Sequence, residues 1–361
     1  MLTYSPEPNL RNSLSSSLLF ENVTAALGKV PIVRLNKIHS GCQHHHLYLK
    51  LESCNPGGSI KEKNAAYLVN EAEKQGLLQT GSTIVESSSG NFGIGLAIVG
   101  ATKGYRVVIV IDAKTPVTMR RMLTAYGAEL VEVPLSAADA QGSMQLARMA
   151  KAQELAANIP GAWYPCQHKN PRNTNAHEVW TAREIVDAFY GAPDAIAIGV
   201  STAGQLGGIS RYFKKYYPQT RIIGVDVAGS AIFGTPRHPY KMTGLGLSFV
   251  PPNFDPQVLD AAYSVDDGLA FSVCHALAKQ EGMLLGASTG AIVAAALADV
   301  QRFTQPQSML LLNPDRGDRY LETVYNADWL AAQNINILQN LHLTEAIANL
   351  SPVPLNIVTK N

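Results

Sequence analysis

The chain has 361 residues, of which 46% are hydrophobic and 16% are charged, and its formal net charge is +1. This length and composition are typical of a folded enzyme with one large domain or two smaller ones. The near-neutral charge gives no electrostatic case for binding nucleic acid or an acidic membrane surface. The first twenty residues contain no long apolar run, so we expect no signal peptide. No stretch of the sequence approaches about 18 apolar residues, so we expect no membrane span.

Four cysteines are scattered along the chain, and no two of them form a CxxC pair: Cys42, Cys54, Cys166 and Cys274. This spacing argues against a zinc site and against a disulfide framework, and it indicates a reducing compartment. We therefore expect a cytoplasmic protein without a bound metal.

Short apolar strands alternate with helices along most of the chain. Strands are predicted at residues 46–52, 83–86, 106–112, 129–133, 195–200, 221–227, 283–285 and 308–313, and helices at residues 93–103, 116–126, 138–157, 176–190, 207–217, 267–281 and 289–302, with a last helix starting near residue 318. Such alternation predicts an α/β protein with parallel sheets and right-handed crossovers. A proline-containing loop region at residues 159–175 divides the pattern into two series.

These two series predict two domains. We expect an N-terminal arm over residues 1–20, a smaller α/β domain over residues 53–160, a larger α/β domain over residues 21–52 plus 161–330, and a C-terminal tail over residues 331–361.

Residues 55–64 (NPGGSIKEKN) are predicted to form a turn that leads into a helix. Ser59 is a suitable N-cap, and Glu62 three residues later completes a capping-box pattern. Lys61 and Lys63 then fall in the first helical turn, where the helix dipole disfavours a cation. A neutral amine is what a nucleophilic lysine needs. The alternative is that both lysines simply point into water.

Three further motifs follow predicted strands, at the strand ends where α/β proteins bind ligands. SSSGNFG (residues 87–93) is either an ordinary capped turn or a site whose hydroxyls, amide and helix N–H groups bind a substrate carboxylate. Its glycine spacing is not that of a dinucleotide site. VSTAGQLGG (residues 200–208) has the small side chains and accessible N–H groups of a phosphate-binding loop, but it lacks the lysine of a Walker loop. GASTG (residues 286–290) presents Ser288 either as a helix N-cap or as a partner for a heteroaromatic nitrogen. Together, these groups are suited to bind pyridoxal 5′-phosphate and an amino-acid substrate.

On these motifs, over residues 24–330, the chain resembles the fold-type II pyridoxal-phosphate enzymes of the cysteine synthase and cystathionine β-synthase group, whose fold is like that of tryptophan synthase β. The resemblance implies pyridoxal phosphate as cofactor, Lys61 as the catalytic Schiff-base lysine, and Ser288 as the partner of the pyridine nitrogen. The remaining implied contacts are Asn91 to the ring hydroxyl; Ser201, Thr202, Ala203, Gly204 and Gln205 to the phosphate; and Ser88, Ser89, Asn91 and Gln167 to the substrate carboxylate. The resemblance also implies a homodimer.

Within this group the chain looks most like the siderophore-pathway N-(2-amino-2-carboxyethyl)-L-glutamate synthases. The residues that carry this similarity are NPGGSIK, the VST of the phosphate loop, GSAIFG (residues 229–234) and NPDRGDRYLETVYNADWL (residues 313–330). It implies β-replacement, through an α-aminoacrylate, of the phosphate of O-phospho-L-serine by L-glutamate, on the route to 2,3-diaminopropionate. Arg148 is the first candidate to bind the leaving phosphate, ahead of Arg316 and Arg319.

The sequence departs from the patterns of these relatives at several positions. Phe92 stands where cysteine synthases usually carry threonine, and residues 246–251 read GLSFVP instead of a sequence close to GAGFIP. The glutamate-using subgroup tends to have arginine where Phe249 stands and an aromatic residue where His168 stands. These positions lie near the expected path of the second substrate, so we include His168 among the substrate-binding candidates.

Three alternatives remain open. The first is a cysteine synthase that joins O-acetylserine or O-phosphoserine to sulfide, and the differences at Phe92 and residues 246–251 disfavour it. The second is a serine or threonine dehydratase. The third is a catalytically idle relative that binds a partner protein, which the intact Lys61 and the complete set of cofactor residues disfavour.

Overall fold

The computed structural model describes residues 19–28, 30–38, 44–139 and 142–355. The arm predicted over residues 1–20 lies almost entirely outside these ranges, as do Cys42 and the end of the predicted tail from residue 356 onward. In the described part of the chain, no helix is both long enough and apolar enough to cross a bilayer.

The described strands form two separate sheets. In chain order they are β1 (Ile32–Arg34), β2 (His46–Leu51), β3 (Thr83–Ser87), β4 (Arg106–Asp112), β5 (Glu129–Val133), β6 (Ala162–Trp163), β7 (Ala195–Gly199), β8 (Arg221–Val227), β9 (Ala261–Val265) and β10 (Ser308–Asn313). The larger sheet has the order β1-β2-β10-β7-β8-β9 and is parallel except for β1. The smaller sheet has the order β5-β4-β3-β6 and is entirely parallel.

Helices connect and cover these strands. They are α1 (Lys61–Lys74), α2 (Asn91–Lys103), α3 (Val117–Ala125), α4 (Gln145–Asn158), α5 (Arg172–Ala176), α6 (Ala182–Phe189), α7 (Gly204–Tyr216), α8 (Asp267–Ala276), α9 (Ala287–Val300), α10 (Ala327–Ala332) and α11 (Asn340–Ala348). A π-helical turn, His177–Thr181, joins α5 to α6, and a second one, Leu277–Glu281, extends α8. The structure is therefore the α/β fold that the sequence predicts.

Both faces of each sheet are buried, which explains the uninterrupted apolar strands. In β10, Met309 and Leu311 join the core on one face of the larger sheet. Leu310 and Leu312 join the core on the opposite face. Successive side chains of a strand point to opposite faces, so a strand covered on both sides must be apolar at every position. The strand β4 is divided between two cores in the same way.

Several predicted elements differ from the observed ones in type or in bounds. Residues 283–285 are not a strand, because Leu285 forms only an isolated bridge with Arg316. The helix expected from residue 138 begins at residue 145, and the one expected near residue 318 is a short 3₁₀ turn, Gly317–Tyr320. The division into two domains stays a prediction; β6, which pairs in the smaller sheet, lies just beyond its boundary at residue 160.

A cluster of four charges, three of them buried, ties the start of α1 to the larger sheet. The ammonium of Lys63, fully buried, lies 2.9 Å from Glu52 and 2.6 Å from Glu184. Lys50, on β2, lies 2.7 Å from the same oxygen of Glu184. Two lysines and two carboxylates balance each other here, which is the condition under which buried charges are tolerated.

We predict that Lys63→Met destabilises the protein strongly. The change leaves the buried Glu52 and the half-buried Glu184 facing Lys50 alone. Breaking a buried ion pair in this way costs about 3 to 5 kcal/mol. The free energy of unfolding, measured by urea denaturation, should fall by that amount. Lys74→Met is the control, because Lys74 pairs with Glu71 at the surface and should change little. Equal, small effects of both substitutions would contradict the assignment.

Candidate active site

Helix α1 begins at Lys61, after a turn that Glu62 closes. The carboxylate of Glu62 accepts the N–H groups of Gly57 (2.7 Å) and Ser59 (2.9 Å). The glutamate half of the predicted capping box is therefore present. The serine half was wrong: Ile60 precedes the helix, and the buried Ser59 hydroxyl finds no hydrogen-bond partner among the described residues. The glutamate satisfies the turn alone because its two oxygens reach both N–H groups.

The pKa values of Lys61 and Lys63 shift in opposite directions, although the two lysines are only two residues apart. Burial lowers the pKa of Lys61 to about 8, and the charge of Asp315 opposes this shift only in part. Burial also acts against the charge of Lys63, but Glu52 and Glu184 raise its pKa above the ordinary value. Lys61 is half-buried and Lys63 fully buried, so neither simply points into water. Lys61 is thus the lysine that can present a neutral amine near physiological pH.

The predicted carboxylate loop lies between β3 and α2. Ser88 is buried, and its Oγ accepts the N–H of Gly93 at 2.9 Å, so its hydroxyl closes the first turn of α2. Ser89 and Asn91 are half-buried. Phe92 is 2% exposed and packs in the core of the smaller sheet. The position where cysteine synthases carry a threonine therefore contributes no polar group to this loop.

The Asn91 amide is held from both ends. Its Nδ2 donates to Asp315 at 2.7 Å, and its Oδ1 accepts from the guanidinium of Arg319. Arg319 also donates to the carbonyl of Gly57. Arg316 is exposed and pairs with Asp318 at 2.6 Å. Neither arginine is placed as a free cation for a leaving phosphate.

The predicted phosphate loop ends at the uncapped start of α7. No side chain caps this helix, and Ala203 before it adopts a left-handed φ of 61°. Its first N–H groups lack helical acceptors and are available to an anion. Ser201 is half-buried, Thr202 is buried, and Gln205 donates to the carbonyl of Gly199 at 2.7 Å. A Cβ on Gly204 would lie 2.8 Å from the Asn173 side chain, so a larger residue here would displace that amide.

Asn173 links the phosphate loop to the carboxylate site and to α1. Its Nδ2 donates to Thr202 Oγ1 (3.1 Å) and to the carbonyl of Gln167 (2.9 Å). Its Oδ1 accepts from Asn64 at 2.5 Å. Asn64 in turn contacts the buried His177 in the π-helical turn at 2.8 Å. One buried amide thereby fixes three predicted parts of the site relative to each other.

Ser288 lies in the first turn of α9 and is 1% exposed. The helix begins at Ala287 after Gly286, so the prediction that Ser288 is the N-cap was wrong. The other interpretation, that its hydroxyl meets a ring nitrogen, stays a prediction. The loop at Gly244 faces this hydroxyl, since a Cβ there would lie 3.5 Å from Ser288 Oγ.

Arg148 and His168 lie together at the edge of the site, near Gln167. Arg148, on α4, is 8% exposed and pairs with Asp112. His168 is 7% exposed, and its ring packs edge-on against Phe249 with centroids 5.8 Å apart. Burial, aided by the charges of Arg148 and Lys61, lowers the pKa of His168 to about 4. Arg148 Nε and His168 Nδ1 are buried and lack hydrogen-bond partners within the described ranges.

Three carboxylates at the site were missed from the sequence. Asp112 ends β4 and holds Arg148, and Asp315 follows β10 and holds Asn91. Glu86, near the end of β3, accepts the N–H groups of Ser87 and Gln167, and burial raises its pKa to about 8. A usable signal was present, because a charged residue that ends an apolar strand lies at the ligand-binding edge of a parallel sheet.

Two parallel sheets, a lysine of lowered pKa at a helix start and an uncapped phosphate loop define the class of fold-type II pyridoxal-phosphate enzymes. The family model described as pyridoxal-phosphate dependent enzyme matches residues 23–315. A protein of Ralstonia nicotianae named N-(2-amino-2-carboxyethyl)-L-glutamate synthase is 36% identical over 87% of this chain and 92% of its own length. One of the same name from Cupriavidus metallidurans is 34% identical over 93% and 96%.

Solved structures give the same class. An O-ureido-L-serine synthase has a TM-score of 0.79 and 35% identity, over 87% of this chain and 99% of that one. O-acetyl serine sulfhydrylase isoform 3 from Entamoeba histolytica has a TM-score of 0.81 and 29% identity, over 96% and 99%. The chain belongs to the pyridoxal-phosphate-dependent enzyme family. It is a transferase that uses pyridoxal phosphate for β-replacement.

The residues present fit this cofactor. The uncapped start of α7 supplies N–H groups for its phosphate. Lys61 supplies an amine for its aldehyde, and Asn91 keeps one N–H and one lone pair for further bonding. The individual residue roles remain predictions of the sequence.

We predict that Lys61 in the apoenzyme reacts with acetic anhydride with a pH midpoint of about 8, because burial lowers its pKa to that value. The neutral amine, which is the reactive form, should therefore predominate above pH 8. Peptide mass spectrometry across a pH series measures the midpoint, with exposed Lys74 as the internal reference. A midpoint for Lys61 equal to that of Lys74 would contradict the assignment.

We predict that Asn173→Ala weakens binding of pyridoxal phosphate about tenfold or more, because the phosphate loop loses a buried hydrogen bond that positions it. Titration of the apoenzyme measures the dissociation constant. Asn175→Ala is the control, since Asn175 lies on the same helix and contacts Arg211 near the surface. If both variants bind the cofactor like the wild type, Asn173 does not organise the loop.

Proposed function

We propose that the protein replaces the phosphate of O-phospho-L-serine with the amine of L-glutamate, forming N-(2-amino-2-carboxyethyl)-L-glutamate. The observation that carries the proposal is the buried guanidinium of Arg148 beside His168, at the edge of the predicted cofactor site. A buried arginine with an unpaired Nε can receive a second, anionic group. Two relatives that share about a third of the sequence bear the corresponding name.

The reaction balances without a further reagent. The Cβ–O bond of O-phospho-L-serine breaks, and phosphate leaves with the electron pair. The amine of L-glutamate forms a C–N bond at Cβ and loses one proton, which inorganic phosphate accepts. When bound, pyridoxal phosphate supplies the electron sink for the pair released at Cα. Lys61, with its lowered pKa, takes the Cα proton and returns it after the new bond has formed.

Other residues bind and orient the substrates in this proposal. The loop at Ser88, Ser89 and Asn91, with Gln167, holds the carboxylate of O-phospho-L-serine. Arg148 binds the phosphate and stabilises its charge as it leaves. His168 is neutral at physiological pH, so it acts as a hydrogen-bonding group and not as a second cation.

The path for the second substrate lies where α4 meets residues 246–251. Gln145 accepts the N–H and the hydroxyl of Ser248, at 3.1 and 3.0 Å, next to Phe249 and His168. These side chains are larger or more polar than a path for sulfide requires. Sulfide remains the main competing nucleophile, because a solved structural neighbour is named O-acetyl serine sulfhydrylase.

We further propose that the enzyme is a cytoplasmic homodimer whose product serves 2,3-diaminopropionate and siderophore-type biosynthesis. This extension is supported by the sequence resemblance to the siderophore-pathway synthases.

Competition between nucleophiles tests the proposal. The holoenzyme is given O-phospho-L-serine with equal concentrations of L-glutamate and sulfide, and mass spectrometry identifies the products. We expect the carboxyethyl-glutamate adduct and inorganic phosphate, and no product from Lys61→Ala. Cysteine as the main product would overturn the glutamate assignment in favour of a cysteine synthase. Pyruvate alone would indicate a dehydratase.

We predict that Arg148→Gln raises the KM for O-phospho-L-serine about ten- to a hundredfold, the effect of losing a hydrogen bond to a charged group. The KM for O-acetyl-L-serine, which carries no phosphate, should change far less. Arg106→Gln is the control, because Arg106 pairs with Glu129 at the surface. A parallel loss with both donors would mean that the substitution acts through the released Asp112 and not through the phosphate.

A further inference from the structure

Asp315 lies where the lysine segment, the carboxylate loop and the end of the larger sheet meet. The chain after β10 runs antiparallel to the residues before α1. Ile60 donates its N–H to the carbonyl of Pro314 at 2.8 Å, and Arg316 donates to that of Gly58 at 3.2 Å. Ser59 and Asp315 are bridge partners between these two bonds. This pairing brings the Asp315 carboxylate to the base of the predicted site.

One carboxylate oxygen of Asp315 accepts hydrogen bonds from residues of the site, and the other oxygen accepts none from the described residues. It is 1% exposed, and its Oδ2 accepts from Asn91 Nδ2 (2.7 Å) and from the hydroxyl of Tyr320 (2.5 Å). Its Oδ1 is buried and has no hydrogen-bond partner in the described chain. A Cβ on Gly286 would lie 1.9 Å from Oδ1, so the start of α9 leaves no slack around it. A buried carboxylate with an open oxygen is costly unless it serves a charge nearby.

Arg319 completes the arrangement from the other side. It donates to Asn91 Oδ1 and to the carbonyl of Gly57. Burial raises the pKa of the Asp315 carboxyl, and the charge of Arg319 is the strongest of the influences that favour its ionised form. Carboxylates only accept and guanidinium groups only donate, so the orientation of the Asn91 amide between them is fixed. A free asparagine amide could flip and present the wrong atom to a ligand.

We propose that Asp315 and Arg319 are positioning residues of the cofactor site, in which both hold the Asn91 amide and Asp315 also provides the counter-charge for the free Lys61 ammonium. The inference rests on the proposal that Lys61 and Asn91 bind pyridoxal phosphate. It assigns a role to Arg319 other than binding the leaving phosphate.

A purely structural role for Asp315 would leave the titration of Lys61 unchanged. The titratable groups whose charges act on Lys61, or on which the charge of Lys61 acts, are Asp315, His168 and His177. Both histidines have lowered pKa values and are neutral above pH 7, so their charge does not change where Lys61 titrates. Asp315 is then the facing group whose substitution removes a negative charge. Removing this charge favours the neutral form of the Lys61 amine.

The test compares Asp315→Asn with Asp318→Asn, an exposed carboxylate three residues away that pairs with Arg316. The apoenzymes are acetylated with acetic anhydride across a pH series, and the Lys61 midpoint is read by peptide mass spectrometry. They are then titrated with pyridoxal phosphate. We expect Asp315→Asn to lower the Lys61 midpoint below that of the wild type and to weaken cofactor binding about ten- to a hundredfold. Asp318→Asn should match the wild type in both.

Arg319→Gln and its control Arg316→Gln make the proposal testable if Asp315→Asn fails to fold. Arg319→Gln should weaken cofactor binding about tenfold or more, because Asn91 Oδ1 loses the donor that fixes the orientation of its amide. Thermal unfolding of each apoenzyme checks that the fold is intact. The proposal is overturned if folded Asp315→Asn or Arg319→Gln binds the cofactor like the wild type. If Lys61→Ala still forms a borohydride-stable adduct with pyridoxal phosphate, it is the role of Lys61 that fails instead.

Discussion

The burial of Lys63 between Glu52 and Glu184 is the constraint on which the active-site geometry depends. Glu52 follows β2 of the larger sheet and Glu184 lies on α6, while Lys63 belongs to α1, which packs against α2 of the smaller sheet. The ion cluster therefore joins elements of both sheets at one helix start. A buried charge tolerates little displacement from its partners, because the desolvation cost is met only in good geometry. Lys61, two residues earlier, is placed by the same anchor.

The contrast between these two lysines shows how the chain separates structure from chemistry within one helical turn. Lys63 has two carboxylates within 3 Å and keeps its charge. Lys61 has only the opposing influence of Asp315, so burial dominates and its pKa falls to about 8. The helix dipole, which the sequence alone suggests as the cause, acts on both lysines alike and cannot explain their difference. Partner geometry decides which lysine is the nucleophile.

The parts of the fold that could be predicted are those with strong local signals. The strand β4 was predicted at its observed bounds because an apolar run of five residues between two charged ones indicates burial on both faces. The strand β9 was missed because Ala261–Val265 follows a glycine- and proline-rich stretch and its apolar pattern is weak. The capping-box prediction for α1 was wrong in its serine half. Which side chain hydrogen-bonds the N–H groups before the helix depends on the direction of the turn, which the sequence does not show.

The candidate site likewise contains residues with a local sequence signal and residues without one. Lys61 and the loop at residues 201–205 stand out locally, at a helix start and at a strand end. The contact of Asp315 with Asn91 spans 224 positions, and that of Asn173 with Asn64 spans 109, so no local pattern encodes them. Their partners are ordinary amides whose significance appears only when the two sheets come together. The sequence thus identifies the groups that react more readily than those that position them.

The central claim is that Lys61, and not the neighbouring Lys63, carries the cofactor. Reduction of the holoenzyme with sodium borohydride, followed by proteolysis and peptide mass spectrometry, tests it most directly, because reduction fixes the cofactor on the amine that holds it. The account predicts one pyridoxyl-phosphate group per chain, on Lys61, with Lys63 unmodified. A label on Lys63, or on a lysine outside α1, would contradict the account, because it would place the cofactor away from the site described.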